Sequence, residues 1–155
     1  MNPSIELLPA SPRQAGTIAR LSRDLIEGGQ AWRWTPRRVL ACIEDAEHMV
    51  LTACQASPLT GFAIAAFLER HVHLYLLAVL PTQRRRGLGR RMMHWIETSA
   101  LAAGTPRMEL ELLHRDAGSQ TFFRRLGYRE HTHLPTGATG TADALRMARR
   151  VAPAA

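Results

Sequence analysis

The stretch that decides the fold runs from residue 79 to residue 90 and reads Val79-Leu80-Pro81-Thr82-Gln83-Arg84-Arg85-Arg86-Gly87-Leu88-Gly89-Arg90. It follows an apolar run over 74–80, which predicts a strand buried on both faces, and it opens a long stretch with helical spacing. Glycines allow a tight turn and a close approach of backbone to ligand. Because the first N–H groups of a helix lack internal partners and the helix dipole favours anions, the turn predicts a pyrophosphate site, to which the arginines add charge.

Helices and strands alternate on both sides of this turn. A capping box formed by Ser11 and Gln14 predicts the start of a first helix, which ends at Gly28-Gly29, and Thr35-Pro36 opens a second helix. The remaining patterns predict strands over 5–9, 49–54, 62–68, 74–80, 108–113, 128–134 and 144–151, and helices over 87–103 and 117–126. The order βααβββαβαββ indicates a mixed α/β fold, with one domain over residues 1–155.

Composition bounds the class of protein. The 155 residues are 46% hydrophobic and 21% charged, which is typical of a globular chain and excludes disordered, collagenous and disulfide-stapled classes. No apolar run reaches the ~18–20 residues that cross a bilayer, and no signal peptide is visible. Two cysteines, Cys42 and Cys54, without a CxxC spacing favour a reducing compartment and no thiol-bound metal. We therefore expect a cytoplasmic protein without a membrane partner.

The charge is basic and carried by arginine alone. Twenty cationic and thirteen acidic residues give a net charge of +7, and every cation is arginine, which favours a bacterial, GC-rich origin. Such a charge suits a nucleic acid or a phosphorylated cofactor. A nucleic-acid partner is disfavoured, because the sequence has no recognition-helix motif and no surface pattern of interleaved aromatic and basic residues.

Two segments carry a resemblance to a known family. Arg84-Arg85-Arg86-Gly87-Leu88-Gly89 is similar to the cofactor signature of the GCN5-related N-acetyltransferases, Arg/Gln-x-x-Gly-x-Gly/Ala. Asp116, followed by Phe122-Phe123-Arg124-Arg125-Leu126-Gly127-Tyr128, resembles the family's Asn-led helix that ends in Leu-Tyr-x-x-x-Gly-Phe. The chain most resembles the bacterial branch that includes the ribosomal-protein-alanine N-acetyltransferases.

The resemblance implies a fold, an activity and a cofactor. Strands four and five would splay around acetyl-CoA, which would donate its acetyl group directly to a primary amine on a small molecule or a protein N-terminus. A homodimer is possible. The implied cofactor-binding residues are the strand-four backbone at Leu77, Ala78 and Val79, the turn residues Arg84, Arg85, Arg86, Gly87, Leu88, Gly89 and Arg90, and Asp116 and Phe123.

The family places a general base at two positions, and the sequence fills both. His73 lies fourteen residues before the first motif glycine, and Glu111 lies five residues before Asp116. A histidine titrates in the range that this task needs. Alternatively, the His73 ring packs near Tyr75, or Glu111 forms a salt bridge with an arginine. His71 and His73 could face a metal together, but no third ligand lies at a useful spacing.

The general acid is where the sequence departs from the family. The usual tyrosine is replaced by Phe123, which has no proton to donate. Three alternatives follow: the thiolate leaves unassisted, another group such as His114, Tyr128 or a water replaces the tyrosine, or the chain is a non-catalytic acyl-CoA-binding module.

The segment expected to contact the acceptor also departs from the family's pattern. The ribosomal-protein-alanine branch has a Tyr-Tyr pair before its last strand, whereas the loop over 134–140 has no aromatic residue here. Trp32 and Trp34 could floor an acceptor cleft or could anchor their loop to the core.

Overall fold

The computed structural model describes residues 4–28, 32–55, 58–134 and 144–153. Its strands are β1 (Ile5–Pro9), β2 (His48–Gln55), β3 (Leu59–Phe67), β4 (Val72–Val79), β5 (Arg107–Leu113), β6 (Arg129–Leu134) and β7 (Ala144–Arg150). Its helices are α1 (Ala15–Ser22), α2 (Pro36–Glu44), α3 (Leu88–Ala102) and α4 (Ala117–Arg125). This element order confirms the predicted βααβββαβαββ. Residues 135–140 of the predicted loop over 134–140 lie outside the described residues, as does Gly29 at the predicted end of the first helix.

The strands form one mixed sheet in the order β1-β2-β3-β4-β5-β7-β6. Strands β1, β2 and β3 are antiparallel, and β7 runs antiparallel to both β5 and β6. The β4–β5 pair is parallel, with Val72 opposite Met108 and Leu74 opposite Leu110. A parallel pair needs a crossover connection, which α3 supplies.

The first of two compact units comprises residues 1–66 and 76–96. Its core brings α1 and α2 together with β2, β3 and the second half of β4, through buried residues that include Ile18, Val39, Phe62 and Leu76. Helix α2 begins as predicted: Pro36 occupies its first turn, and the Thr35 hydroxyl accepts a hydrogen bond from the Arg38 N–H at 3.3 Å.

Helix α1 starts later and ends differently from the prediction. A short 3₁₀ turn, Pro12–Gln14, precedes it, where the Ser11 N–H donates to Gln14 Oε1 at 2.9 Å. After Ser22 the helix widens into a π turn, Arg23–Glu27, which Gly28 closes at φ 52°. The Gly28 N–H reaches back to the Arg23 carbonyl at 3.2 Å, one residue further than an α-helical bond.

The second unit comprises residues 67–75 and 97–155. Alternate residues of its strands are buried, among them Val72, Leu74, Met108, Leu110 and Met147. The side chains between them, at His73, Glu109 and Glu111 for example, therefore share the opposite face of the sheet. No helix within the described residues is long and apolar enough to cross a bilayer.

Candidate functional site

The arginine-rich turn over residues 80–90, called the arginine turn below, connects β4 to the first residues of α3 within the first unit. Pro81–Gln83 forms a 3₁₀ turn, and the Gln83 N–H donates to the Leu80 carbonyl at 2.8 Å. The Arg84 side chain then folds back, and its Nε donates to the Val79 carbonyl at 3.0 Å. This bond fixes the start of the turn on the last residue of β4.

Two residues in this turn have left-handed backbone. Gly87 has φ 76°, and Arg85 has φ 65°, the only positive φ of a non-glycine residue within the described chain. A side chain at such a φ costs roughly 1–2 kcal/mol relative to the right-handed region. Strain of this kind occurs at ligand-binding loops, where the surrounding structure enforces it.

The turn leads into the start of α3, where the first backbone N–H groups have no acceptor within the helix. The first hydrogen bond of the helix runs from the Arg91 N–H to the Gly87 carbonyl, at 3.0 Å. The N–H groups that precede Arg91 in the first helical turn therefore find no partner in the helix itself and are available to a ligand. A Cβ built on Gly87 would meet nothing within 4 Å, which leaves open space over the turn. Exposed arginines lie in or next to the turn, at positions 84, 85, 86 and 90. Donors, helix dipole, open backbone and cations fit a pyrophosphate group.

A polar cluster lies on one face of β4, β5 and β7 in the second unit. His73 is in register with Glu109, and Glu111 is in register with Arg146. Arg146 Nη2 donates to Glu111 Oε1 at 3.2 Å. The salt bridge foreseen as an alternative for Glu111 is therefore present, and its partner, Arg146, was missed by the sequence analysis. The alternation of strand β7 was the only signal that could have placed it.

Glu109 is engaged at the other end of the cluster. Its Oε2 accepts a hydrogen bond from Arg107 Nε at 2.8 Å and lies 3.9 Å from His71 Nδ1. Burial alone would raise the pKa of Glu109, but the Arg107 hydrogen bond and the nearby cations outweigh it and lower that pKa. Glu109 is thus held as a carboxylate.

His73 lies on β4, in register with Glu109, and is half-buried. Its ring centroid is 4.9 Å from that of Tyr75 and 5.8 Å from that of His71, so the predicted packing near Tyr75 is also present. Burial lowers the pKa of His73 below its ordinary 6.5, helped by the charges of His71 and Arg146 and opposed by Glu111 and Glu109. His73 is consequently a neutral imidazole at pH 7, with one ring nitrogen able to accept a proton.

Phe123, at the position of the family's usual general acid, is buried among aromatic side chains. Its ring meets Tyr128 edge-on at 5.4 Å between centroids. The Tyr128 hydroxyl donates to Glu97 Oε2 at 2.7 Å, and Arg149 Nη1 donates to both Glu97 oxygens at 3.1 Å. Burial and the Glu97 carboxylate raise the pKa of Tyr128 far above its ordinary value. The buried Tyr128 hydroxyl, already engaged by Glu97, is thus poorly suited to replace the missing acid, and His114 and water are the other replacements that the sequence suggested.

Three further residues that the sequence singled out make local structural contacts. Asp116 caps α4, since its Oδ1 accepts a hydrogen bond from the Ser119 N–H at 3.1 Å. Trp34 is buried in the core of the first unit beneath Arg38, whose guanidinium carbon lies 3.7 Å from the ring centroid. Trp32 packs against the same core and donates its Nε1–H to the Ala19 carbonyl at 3.1 Å. The tryptophans thus anchor their loop.

Solved structures of low sequence identity share this fold. One is the ribosomal-protein-S18-alanine N-acetyltransferase from Escherichia coli, with 19% identity, a TM-score of 0.80, and coverage of 98% of this chain and 97% of that chain. Another is Ard1 from Thermoplasma volcanium, with 19% identity, a TM-score of 0.83, and coverage of 96% and 99%. A third is the PaiA N-acetyltransferase from Thermoplasma acidophilum in complex with coenzyme A, with 16% identity, a TM-score of 0.80, and coverage of 95% and 99%.

A search of curated proteins found no match to the sequence. The family model for the acetyltransferase (GNAT) family, by contrast, matches residues 17–128, a range that includes the arginine turn, His73, Glu111 and Phe123. The chain therefore belongs to the acetyltransferase (GNAT) family.

Proposed function

We propose that the arginine turn holds the pyrophosphate of acetyl-CoA and that His73 accepts the proton of the acceptor amine. As a member of its family, the chain is an acetyl-CoA-dependent N-acetyltransferase. The observation that carries the residue assignment is the half-buried His73, which is in register with Glu109 on the sheet face that also carries the Glu111–Arg146 ion pair. We further propose that residues 1–155 act as a single acetyltransferase domain. A bacterial, cytoplasmic origin and a homodimer stay predictions.

The pantetheine arm would pair with the backbone of β4. The Leu80 N–H donates to the Thr60 carbonyl of β3 at 2.9 Å. Because alternate residues of a strand direct their backbone groups to the same side, Ala78 also faces β3, whereas Leu77 and Val79 face away from it. We therefore assign the amide contacts to Leu77 and Val79, and to Ala78 a place in the β3–β4 pairing.

Proton transfer is the step that the chain's own residues perform. Bound acetyl-CoA supplies a thioester, whose carbonyl carbon bonds to the amine nitrogen while the carbon–sulfur bond breaks and sulfur keeps the electron pair. His73 takes the proton that the nitrogen loses. Glu111 stabilises the resulting imidazolium, since its charge favours protonated His73. With Phe123 at the acid position, coenzyme A leaves as a thiolate that takes its proton from water.

Glu111 is the weaker candidate for the base. Its carboxylate is three-quarters buried and already accepts a hydrogen bond from Arg146. Drawing a proton onto it would break that ion pair. We therefore give Glu111 the role of a positioning residue, which acts through Arg146 and His73.

The charges of the cluster favour an acceptor with one amine. Glu109 is paired with Arg107, and Glu111 with Arg146, so each carboxylate has its own cation. No net negative charge remains among these four side chains to attract a polycation. We accordingly propose a small molecule with a single amine or a protein N-terminus, and disfavour polyamines and aminoglycosides.

Thiol release from acetyl-CoA, measured with pooled N-terminal peptides, amino acids, polyamines and aminoglycosides, tests the proposal. We expect release with single-amine pools. His73→Gln should lower kcat by ~10²-fold or more, with unchanged acetyl-CoA affinity. Tyr128→Phe, which removes a hydroxyl engaged by Glu97, serves as the control and should keep kcat.

Two results would contradict the assignment. A full rate in His73→Gln, with a loss in Glu111→Gln, would make Glu111 the base. Tight acetyl-CoA binding without release from any pool would favour the non-catalytic module that Phe123 suggests.

A further inference from the structure

Strand β1 forms one edge of the sheet among the described residues. It comes first in the sheet order and pairs on one side with β2. The Ala10 N–H donates to the Val50 carbonyl at 2.8 Å, which continues this pairing by one residue. Because alternate residues of a strand direct their backbone groups to the same side, the N–H and C=O of Leu7 face away from β2, as do the carbonyls of Ile5 and Pro9.

Arg91 of α3 closes this open edge at one end. Its Nη2 donates to the Ile5 carbonyl at 3.0 Å, which agrees with the outward direction of that carbonyl. A guanidinium carries five N–H donors, so Arg91 can keep this bond and bind a carboxylate as well. Pro9 has no N–H to donate. The edge therefore offers the N–H and C=O of Leu7 and the C=O of Pro9 to a short extended peptide, which would end beside Arg91.

A groove between β1 and α3 adjoins this edge. It has a volume of about 460 Å³, in the range of ligand sites, and its lining residues all belong to the first unit: Leu7, Arg90, Arg91, His94 and Trp95. Leu7 and the exposed Trp95 ring supply apolar surface. None of the five residues is acidic, and Glu6 lies on the other face of β1. The groove therefore suits an apolar side chain next to a negative charge.

We infer that β1 and this groove form a docking site for the C-terminal end of an extended segment of another protein. The last residue of that segment would lie opposite Leu7, and its N–H would donate to the Leu7 carbonyl. Its carboxylate would accept hydrogen bonds from the Leu7 N–H and from the Arg91 guanidinium. Directly opposed residues of an antiparallel pair share a face of the sheet, so an apolar last side chain would enter the groove against Trp95.

Isothermal titration with N-acetylated tetrapeptides tests this inference, since the acetyl group prevents the peptides from serving as amine acceptors. The first set begins with threonine-serine-threonine and ends in leucine, valine or phenylalanine with a free carboxylate. The second set has the same sequences with a C-terminal amide. The third set also ends in an amide and has aspartate in place of serine. We expect the first set to bind, and the second and third sets to bind at least ~10-fold more weakly.

A pair of variants tests the role of Arg91. Arg91→Gln removes the guanidinium at the edge, and Arg37→Gln, the matched control, removes an exposed guanidinium from the first turn of α2 in the same unit. Arg91→Gln should weaken the binding of the carboxylate peptides by ~10–100-fold and leave that of the amides nearly unchanged. Arg37→Gln should change neither by more than about 2-fold.

Hydrogen exchange measured by NMR tests the strand pairing separately. The Leu7 N–H faces the open edge, so in the wild type its exchange should slow by at least ~10-fold when a carboxylate peptide is bound. Binding that leaves this exchange rate unchanged would exclude pairing with β1 and overturn the inference.

The titrations of the wild type also overturn the inference if they show equal affinity for carboxylate and amide peptides, or no binding of any peptide. Neither result depends on a variant, so the test stands even if Arg91→Gln fails to fold. Stronger binding of the aspartate peptides than of the carboxylate peptides would replace the chain end by an acidic loop and overturn the inference in that form.

Discussion

His73 sets the pH at which proton transfer fails. Burial lowers its pKa below 6.5, so the imidazole stays neutral further into acid than an exposed histidine. A base must be deprotonated to act, so kcat at saturating acceptor should be flat at neutral pH and fall as the pH drops through a value below 6.5. A kcat–pH profile measures this limb, and His73→Gln should abolish it along with most of the rate. A limb that persists in His73→Gln would assign it to another group.

Arg85 has a backbone conformation that is unfavourable for its side chain, in the turn that we propose binds the pyrophosphate. Its φ of 65° is unfavourable for any side chain, and only glycine adopts it freely. Arg85→Gly and Arg85→Ala remove the same guanidinium, but only the glycine relieves the strain. In urea unfolding, Arg85→Gly should therefore be more stable than Arg85→Ala by about 1 kcal/mol. The entropy that glycine adds to the unfolded chain reduces this difference.

Acetyl-CoA affinity distinguishes the charge of Arg85 from its backbone. If the guanidinium contacts the cofactor, both variants should weaken binding by a similar factor. Weaker binding in the glycine variant alone would show that the strained backbone, held in place, is what pre-organises the turn.

At the scale of elements, the approach of β3 to β4 depends on Gly61. A Cβ there would lie 2.8 Å from the Ala78 carbonyl oxygen, a backbone atom that moves only with its strand. Gly61→Ala should therefore destabilise the protein by ~1–3 kcal/mol. In Gly118→Ala, the control in α4, the added Cβ meets nothing within 4 Å, and the better helix former should raise stability slightly. Equal stability of the two variants in urea unfolding would contradict the close approach.

Elements were predicted well because their signals are local. Helix α3 was expected over 87–103 and runs from Leu88 to Ala102, since glycines bracket its apolar periodicity. The π turn after Ser22 has no such signal, because Arg23–Glu27 reads as ordinary helix. Trp95 of α3 is 39% exposed although it falls within the apolar periodicity of this helix, since a period of 3.6 residues leaves a wide apolar stripe whose edge faces solvent.

The site was predicted only as far as it depends on such local signals. The arginine turn is contiguous in sequence, so its glycines and cations could be identified together. The Glu111–Arg146 pair spans 35 residues, and the Glu97–Tyr128–Arg149 group spans 52. Such partners depend on strand register and on the side of a helix that packs inward, neither of which a single sequence specifies.

The whole molecule carries a net charge of +7, and acetyl-CoA carries several phosphate charges of opposite sign. Attraction between them extends over about 8–10 Å at physiological salt and shortens as salt is added. The dissociation constant of acetyl-CoA should therefore rise steadily between low and high salt. Acetyl-pantetheine, which has the thioester but lacks the phosphates, should bind more weakly and with little salt dependence. Isothermal titration of both ligands over a salt series measures the two slopes, and Arg85→Ala should reduce the first slope without changing the second. Parallel slopes for the two ligands would mean that the salt dependence does not arise from attraction between the arginines and the phosphate groups.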